Sequence, residues 1–423
     1  MIIGTLVPLP RKRLAATLVA LLVCAWAVVA VHAGALPPST WVALSPLPQQ
    51  GPSAIFALGV NPFNNQVLIA GTADGSLMRS ADGGSTWKVA HRGSAGILTI
   101  AFSPFKSGLV LAGTRGAGAL MSKDGGLTWA AVNGIDGRSV RAFAFALALV
   151  AAGTDHGVYV SADGLTWRQS GLPTTSIGAL AVAAIHDPVR LVAGGDAAST
   201  IGGASLFQST DAGTTWAQVR AAINGKVVSC LAAGPLPPRR NVRPLVVGTN
   251  AGLFTSRDNG ASFTPSSGGG LLPSTDYTQV AFVTTHYDRY YTASDGGGSA
   301  SGGLWRTRDA GSHFTSLAPP IRSITALAVS NDEAPILYVA TFRPADQGAV
   351  LWAYHDNGGT PQGPPLTVTP SASSSRTTTP APDGTSGLSQ FLSSSRTPYI
   401  AVGLVALLVI GLAVVSHIRG RRG

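Results

Sequence analysis

A phrase of the form Ser-x-Asp-x-Gly-x-Thr-Trp returns through the chain and closes units of roughly forty to fifty residues, a period that marks stacked supersecondary units. Four copies end in Trp: Ser80-Ala81-Asp82-Gly83-Gly84-Ser85-Thr86-Trp87, then Asp124 with Trp129, the one-residue-shorter Asp163 with Trp167, and Asp211 with Trp216. Two further copies end in Phe: Asp258 with Phe263, and Asp309 with Phe314. A unit of this size cannot bury its own apolar face, so it has to pack against its neighbours.

Inside each unit the order of segments is constant. A short apolar run such as Ile97-Leu98-Thr99-Ile100-Ala101-Phe102 leads through a Pro- or Gly-containing turn to a second run ending in Gly-Thr. A tight polar link and a third run come next, and the Asp phrase turns the chain into a fourth strand that starts at Thr-Trp. Four antiparallel strands per unit predict one propeller blade. A seventh unit at residues 324–354 has three strands and a decayed phrase, His355-Asp356-Asn357-Gly358-Gly359-Thr360, with no fourth strand after it. The same Thr-Trp opening stands at Thr40-Trp41, before the first unit. The expected fold is therefore all-β, a seven-bladed propeller over 36–359. Its last blade takes one strand from the N-terminal end, which removes the open edges of a linear array.

The flanks read differently. Residues 14–31 carry no charge and come directly after Arg11-Lys12-Arg13, the pattern of a signal peptide or signal anchor within 1–35. Residues 360–398 are rich in Pro, Ser and Thr and predict a solvated stalk. Residues 399–416 are apolar and long enough for a transmembrane helix, and 417–423 form a basic tail. Basic residues beside both apolar runs place both ends on the cytoplasmic side, with the propeller outside a cell membrane that the chain crosses once or twice. The net charge of +10 is concentrated there. Residues 36–360 hold 21 Lys and Arg against 18 Asp and Glu. With no basic helix or aromatic-rich basic face, this excludes nucleic acid as a partner. Cys230 reads as a small buried apolar residue.

The repeated phrase is identified as the BNR repeat, or Asp-box. Over residues 39–360 the chain resembles the photosystem II assembly and stability factor group, and more distantly the propellers of sialidases, xyloglucan-cleaving glycosidases and sortilin. The resemblance implies a fold more than an activity, because the motif recurs across unrelated functions. The motif residues Asp82, Asp124, Asp163, Asp211, Asp258 and Asp309 are expected to be structural: a short carboxylate accepts turn N–H groups, Gly takes positive φ, and Trp or Phe packs between blades. Sialidase chemistry would need a Tyr nucleophile with a Glu partner. The chain has a single Glu, Glu333, in a first-to-second turn.

In the propeller enzymes that the chain resembles, the ligand sits on the face opposite the Asp turns. Second-to-third links place Asp74, Arg115, Asp155, His156, Asp196, Asn250, Asp295, Arg343 and Asp346 around that mouth, and links between blades are expected to add Arg92, Arg138, Arg168 and Asp276. The eight His are scattered, and neither metal spacing nor cofactor motif is present. The expected function is a membrane-anchored, extracytoplasmic, non-catalytic scaffold or assembly factor that binds a protein or glycan partner, with the lipid bilayer engaged by the terminal helices. The alternative is a cell-surface glycoside hydrolase, sialidase-like or xyloglucanase-like, that uses Asp residues of the ligand face.

Overall fold

The computed structural model describes residues 36–360 apart from 49–52, 186–187, 197–202, 204, 220–221, 267, 273–274, 297–301 and 344–347. The apolar runs at 14–31 and 399–416, the stalk beyond 360, the basic tail and Asp346 lie outside the described residues. Among the described residues no helix is long and apolar enough to cross a membrane.

Seven antiparallel sheets of four strands form the ring. Six run in simple sequence order. The inner strands of blades 1 to 6 are Ile55–Asn61, Ile97–Phe102, Val140–Phe145, Ile177–Ala184, Val228–Ala233 and Gln279–Phe282. The seventh sheet takes Ile324–Val329, Ile336–Arg343 and Gly348–His355 from the end of the ring and Trp41–Ala43 from its beginning. Trp41 pairs with Tyr354, Val42 with Ala353 and Ala43 with Trp352, as the Thr-Trp opening predicted.

Burial explains the closure. Trp41 is almost fully buried, its ring lies 4.8 Å from that of Tyr354, and its Nε1 donates to the Leu317 carbonyl of blade 6 at 2.8 Å. One side chain from the first strand thus ties blade 7 to blade 6. On the other flank, Leu58, Leu68 and Met78 of blade 1 pack with Tyr338 and Leu351 of blade 7. Apolar clusters of the same kind fill the other blade interfaces, for example Ile69 and Leu77 of blade 1 against Ile97 and Val110 of blade 2.

The Asp turns share one hydrogen-bond scheme. In blade 2, Asp124 accepts the Ser122 hydroxyl and the Leu127 and Thr128 amides on Oδ1, and the Thr128 hydroxyl on Oδ2. Ser122 Oγ in turn accepts the Gly126 amide. Burial pushes the Asp124 carboxyl up, but these donors outweigh it and hold the group down at about 2. Gly126 has φ +85°, and a Cβ there would collide with Ile69 of the preceding blade. Glycine is required both by the turn and by the close approach. In blades 2 to 4 the motif Trp closes back on its own turn: Trp129, Trp167 and Trp216 donate Nε1 to Gly126, Gly164 and Gly213. Packing is uneven, since Trp87, Trp167, Phe263 and Phe314 are buried whereas Trp129 and Trp216 are half-buried.

Each 3→4 turn in blades 1, 2, 4, 6 and 7 is pinned to the 1→2 turn of its own blade. The amides of Gly83, Gly125, Ala212, Ala310 and Asp356 donate to Gln66, Gly108, Val189, Asp288 and Pro335. Both turn types therefore occupy one face, the Asp-turn face. Links between strands 2 and 3 and links between blades occupy the other, hereafter the mouth face.

Candidate functional site at the mouth of the ring

The short links of the mouth face are fixed by repeated backbone bonds. The amides of Arg115, Asp155, Asp196 and Asn250 donate to the carbonyls of Gly96, Ser139, Ser176 and Val227, which precede the inner strands of the same blades. The candidate residues consequently stand one blade apart around a rim. Asp74 accepts from the Thr72 hydroxyl and the Ser76 amide. Burial raises its carboxyl, but those bonds and the charge of Arg92 bring it below its usual value. Asp155 accepts the Ser139 amide at 3.2 Å, with His156 Nδ1 3.3 Å from the same oxygen. Asn250 caps the Val227 amide at 3.1 Å. Several of these groups thus shape turns, while Arg115, His156 and Arg343 are exposed. Arg92 and Arg138 lie at this face as expected. Arg168 does not: it opens the outer strand Arg168–Gly171 directly after the Asp163 turn, so it belongs to the Asp-turn face. A fourth strand begins on one face and ends on the other, and Arg168 is at its beginning.

The residues that converge are others. A cavity of about 250 Å3 lies along the ring axis and is walled by the inner strands. Its upper tier comes from equivalent strand positions: Phe56, Leu98, Arg141, Gly178, Ser229 and Thr278. Two residues further along each strand the wall is apolar, with Leu58, Ile100, Phe143, Leu180, Leu231, Val280 and Leu327. The mouth therefore has an apolar arc on blades 1 and 2 and a polar arc on blades 3 to 6, above a greasy floor.

Two contacts order the polar arc. Arg141 Nη1 donates to Ser176 Oγ at 2.6 Å. Ser229 Oγ donates to Asp276 at 3.1 Å. Burial pushes the Asp276 carboxyl up, the Ser229 bond opposes this, and the nearby charge of Asp295 adds to the rise. Thr278 Oγ1 is buried with no hydrogen-bond partner among the described residues. Cys230 is half-buried rather than fully buried: it lines the axis, with its sulfur enclosed and donating to the Tyr277 carbonyl at 3.3 Å, and burial pushes the thiol up to about 12. Such a thiol is not a nucleophile at neutral pH. Among the described residues no group of three His, Cys, Asp or Glu side chains converges to hold a metal. Glu333 is on the Asp-turn face, 3.3 Å from His286 Nε2 and 3.7 Å from Arg289.

Arg141 and Ser229 lie in inner strands and Thr278 directly before one, so all three fall outside the sequence-predicted rim. Their signal is present in the sequence all the same: each is the second residue of an inner strand or its equivalent, where the first two units have Phe56 and Leu98.

No protein-family description matches the chain, and no curated protein matches it in sequence. Solved structures do match. The YCF48 from Cyanidioschyzon merolae is 15% identical over 74% of this chain and 98% of its own, with a TM-score of 0.51. A YCF48 bound to D1 peptide is 16% identical over 75% and 97%, also with a TM-score of 0.51. The GH74 xyloglucanase from Xanthomonas campestris is 16% identical over 73% of this chain but only 55% of its own, with a TM-score of 0.53. In all, 1269 chains of known structure match, so the likeness defines a class, the seven-bladed four-stranded propeller, and does not assign an activity.

Proposed function

We propose that this chain is a membrane-tethered, extracytoplasmic propeller that holds an extended segment of a partner protein at the mouth of the ring, as a scaffold or assembly factor without turnover. The observation that carries the reading is the division of the mouth. An extended peptide offers carbonyl and amide groups together with apolar side chains. Arg141, Ser229 and Asp276 on one arc suit the first, and Phe56 and Leu98 on the other suit the second. That a propeller of the same architecture has been seen bound to D1 peptide supports the choice of ligand class.

The test is crosslinking from a photoreactive residue at Leu98 in membranes that contain the full chain. A discrete partner should be captured, and capture should weaken in Arg141→Ala and in the joint Arg115→Ala/Arg343→Ala variant. Capture unaffected by all three substitutions would remove the mouth as the binding surface. The tether is tested separately: protease added to intact cells should cut between residues 360 and 398 and release a folded propeller.

A second reading rests on Asp276. A carboxyl raised by burial beside a second carboxylate, Asp295, is the arrangement of a general acid with its partner. A glycoside hydrolase of this kind would release sugar from a glycan panel and lose that turnover in Asp276→Asn. Turnover that needs either carboxylate would replace the scaffold reading.

A further inference from the structure

Large apolar side chains on the surface are unevenly distributed. Eight among the described residues are exposed, and six of these are on the Asp-turn face: Phe63, Phe105, Leu127, Leu147, Leu236 and Tyr287, between 39% and 58% exposed. Five occupy the same structural position, the 1→2 turn, in blades 1, 2, 3, 5 and 6. Since strands 1 and 2 are the innermost of each blade, these turns ring the axis, and the Asp turns lie outside them. The 1→2 turns of blades 7 and 1 also touch, through Asn65 and Asp332 at 2.8 Å and Asn331 and Pro62 at 3.4 Å, so adjacent tips share one surface. The blade 7 turn itself is polar, with Asn331, Asp332 and Glu333.

Turn tips have no folding reason to be apolar, because buried area comes from the blade interfaces. Singly exposed apolar residues are ordinary. Five at equivalent positions on one face are not, and a rimmed apolar patch marks an interaction surface. Between blades 4 and 5 the same face opens into a cavity of about 540 Å3, walled on one side by Ile185, Pro188, Pro235 and Leu236 and elsewhere by polar groups that include Arg190 and Arg243.

The paths of the two chain ends indicate what covers this face. Asp356 is bonded to Pro335 in the position of a 3→4 turn, so residues 357–360 depart from the Asp-turn face. The first described residues start there too: the Leu36 carbonyl is 3.4 Å from His355 Nδ1, and Ser39 Oγ donates to Asn357 at 2.7 Å. The charge-free run 14–31 ends five residues before Leu36, a reach of about 18 Å at most. The other departing end leads to the charge-free run 399–416. Both apolar runs are thus attached to the face that carries the apolar tips. Exposed Lys106, Lys123, Arg239 and Arg240 lie among the tips, long basic side chains suited to a headgroup layer, as Phe and Tyr suit the interface beneath it.

We propose that the Asp-turn face rests on the lipid bilayer, with the ring of 1→2 tips inserted into the headgroup region and the mouth turned away from the membrane. The surface is separate from the mouth and shares only the tether with the function proposed above, so failure to capture a peptide would leave the labelling test below unaffected. The full chain, with Cys24→Ser and Cys230→Ser, would carry a single nitroxide label at Leu147→Cys, Leu236→Cys or, on the mouth face, His156→Cys. It would be placed in nanodiscs of phosphatidylcholine and phosphatidylglycerol at one copy per disc. Labels at 147 and 236 should collide more with lipid-soluble oxygen than with a water-soluble nickel chelate, and the label at 156 should show the reverse. Equal chelate access at all three positions would overturn the proposal. So would protection at 147 and 236 that arises only in discs with two copies, since the face would then be a contact between copies.

Discussion

The six Asp turns and the seventh turn, at Asp356, begin from the same sequence idea and end in opposite environments. Asp124 and its counterparts sit at the surface, and each is satisfied by donors of its own turn. Asp356 is fully buried. It is paired with Arg306 Nη1, accepts Tyr291 Oη at 2.6 Å, and lies 3.3 Å from Arg308 Nη2. All three partners belong to blade 6. Arg306 also reaches the Gly358 and Gly359 carbonyls at 3.2 and 2.9 Å. The difference lies in the continuation of the chain beyond the turn. In blades 1 to 6 a Thr or its substitute continues into strand 4 and supplies the carboxylate's donors. In blade 7 that strand comes from the other end of the chain, so apart from the Gly358 amide of its own turn, 2.9 Å away, Asp356 takes its donors from the neighbouring blade. A motif residue is assigned its role by the strand that comes after it.

The largest expected effect is at this buried turn. Asp356→Ala leaves Arg306 buried without its counter-charge and should cost about 3–5 kcal/mol in chemical denaturation, while adding Arg306→Met should recover part of the loss. If Asp356→Ala costs no more than the same change in blade 2, the two turns are equivalent and the contrast fails. Next comes acid. Asp124, Asp163 and Asp309 are each held at about 2, against an ordinary carboxyl value of 3.8. A lowered folded-state value gives stability that is complete above about pH 4 and is lost as pH falls from there towards 2. The melting temperature should therefore be level from pH 7 to 5 and drop between 4 and 2. A curve that falls already between pH 7 and 5 would show that other groups dominate.

Asp124→Ala alone should cost about 1 kcal/mol, a modest loss because the turn is exposed and water replaces part of the bonding. Partner capture at the mouth should be unchanged; melting unchanged with capture lost would make the Asp turns functional. The smallest effect is expected at blade 6, where His313 takes the Thr position and its Nδ1 lies 2.7 Å from Asp309 Oδ2. His313→Thr restores the common scheme and should alter stability by less than about 0.5 kcal/mol, read as a melting shift of about a degree or two.

The sequence carried the blade count, the strand order and the closing strand, because repetition and alternation are local patterns and Thr40-Trp41 repeats a phrase seen elsewhere. It carried the face of most rim residues for the same reason. It did not carry the burial of Asp356, whose partner Arg306 is brought near by the stacking of two blades. Nor did it mark Arg141 as a member of the polar arc with Asp276, because convergence on the axis depends on all seven inner strands at once. Arg168 is misplaced by a reading of sequence alone because a strand's beginning and end look alike there yet lie on opposite faces.

The closing strand has a consequence in time. Ser39 and Asn357, bonded to each other in the finished ring, are 318 residues apart. At synthesis rates of about 5–20 residues per second, the strand around Trp41 exists for roughly 15–60 s before its partner strand is made. Throughout that interval a strand with an exposed indole stands next to blades 1 to 6 as they form in order, each offering edges of similar pattern. Correct closure depends on the first strand staying unpaired until the last blade arrives, so the slow and error-prone step in the life of this molecule is expected to be its first strand waiting.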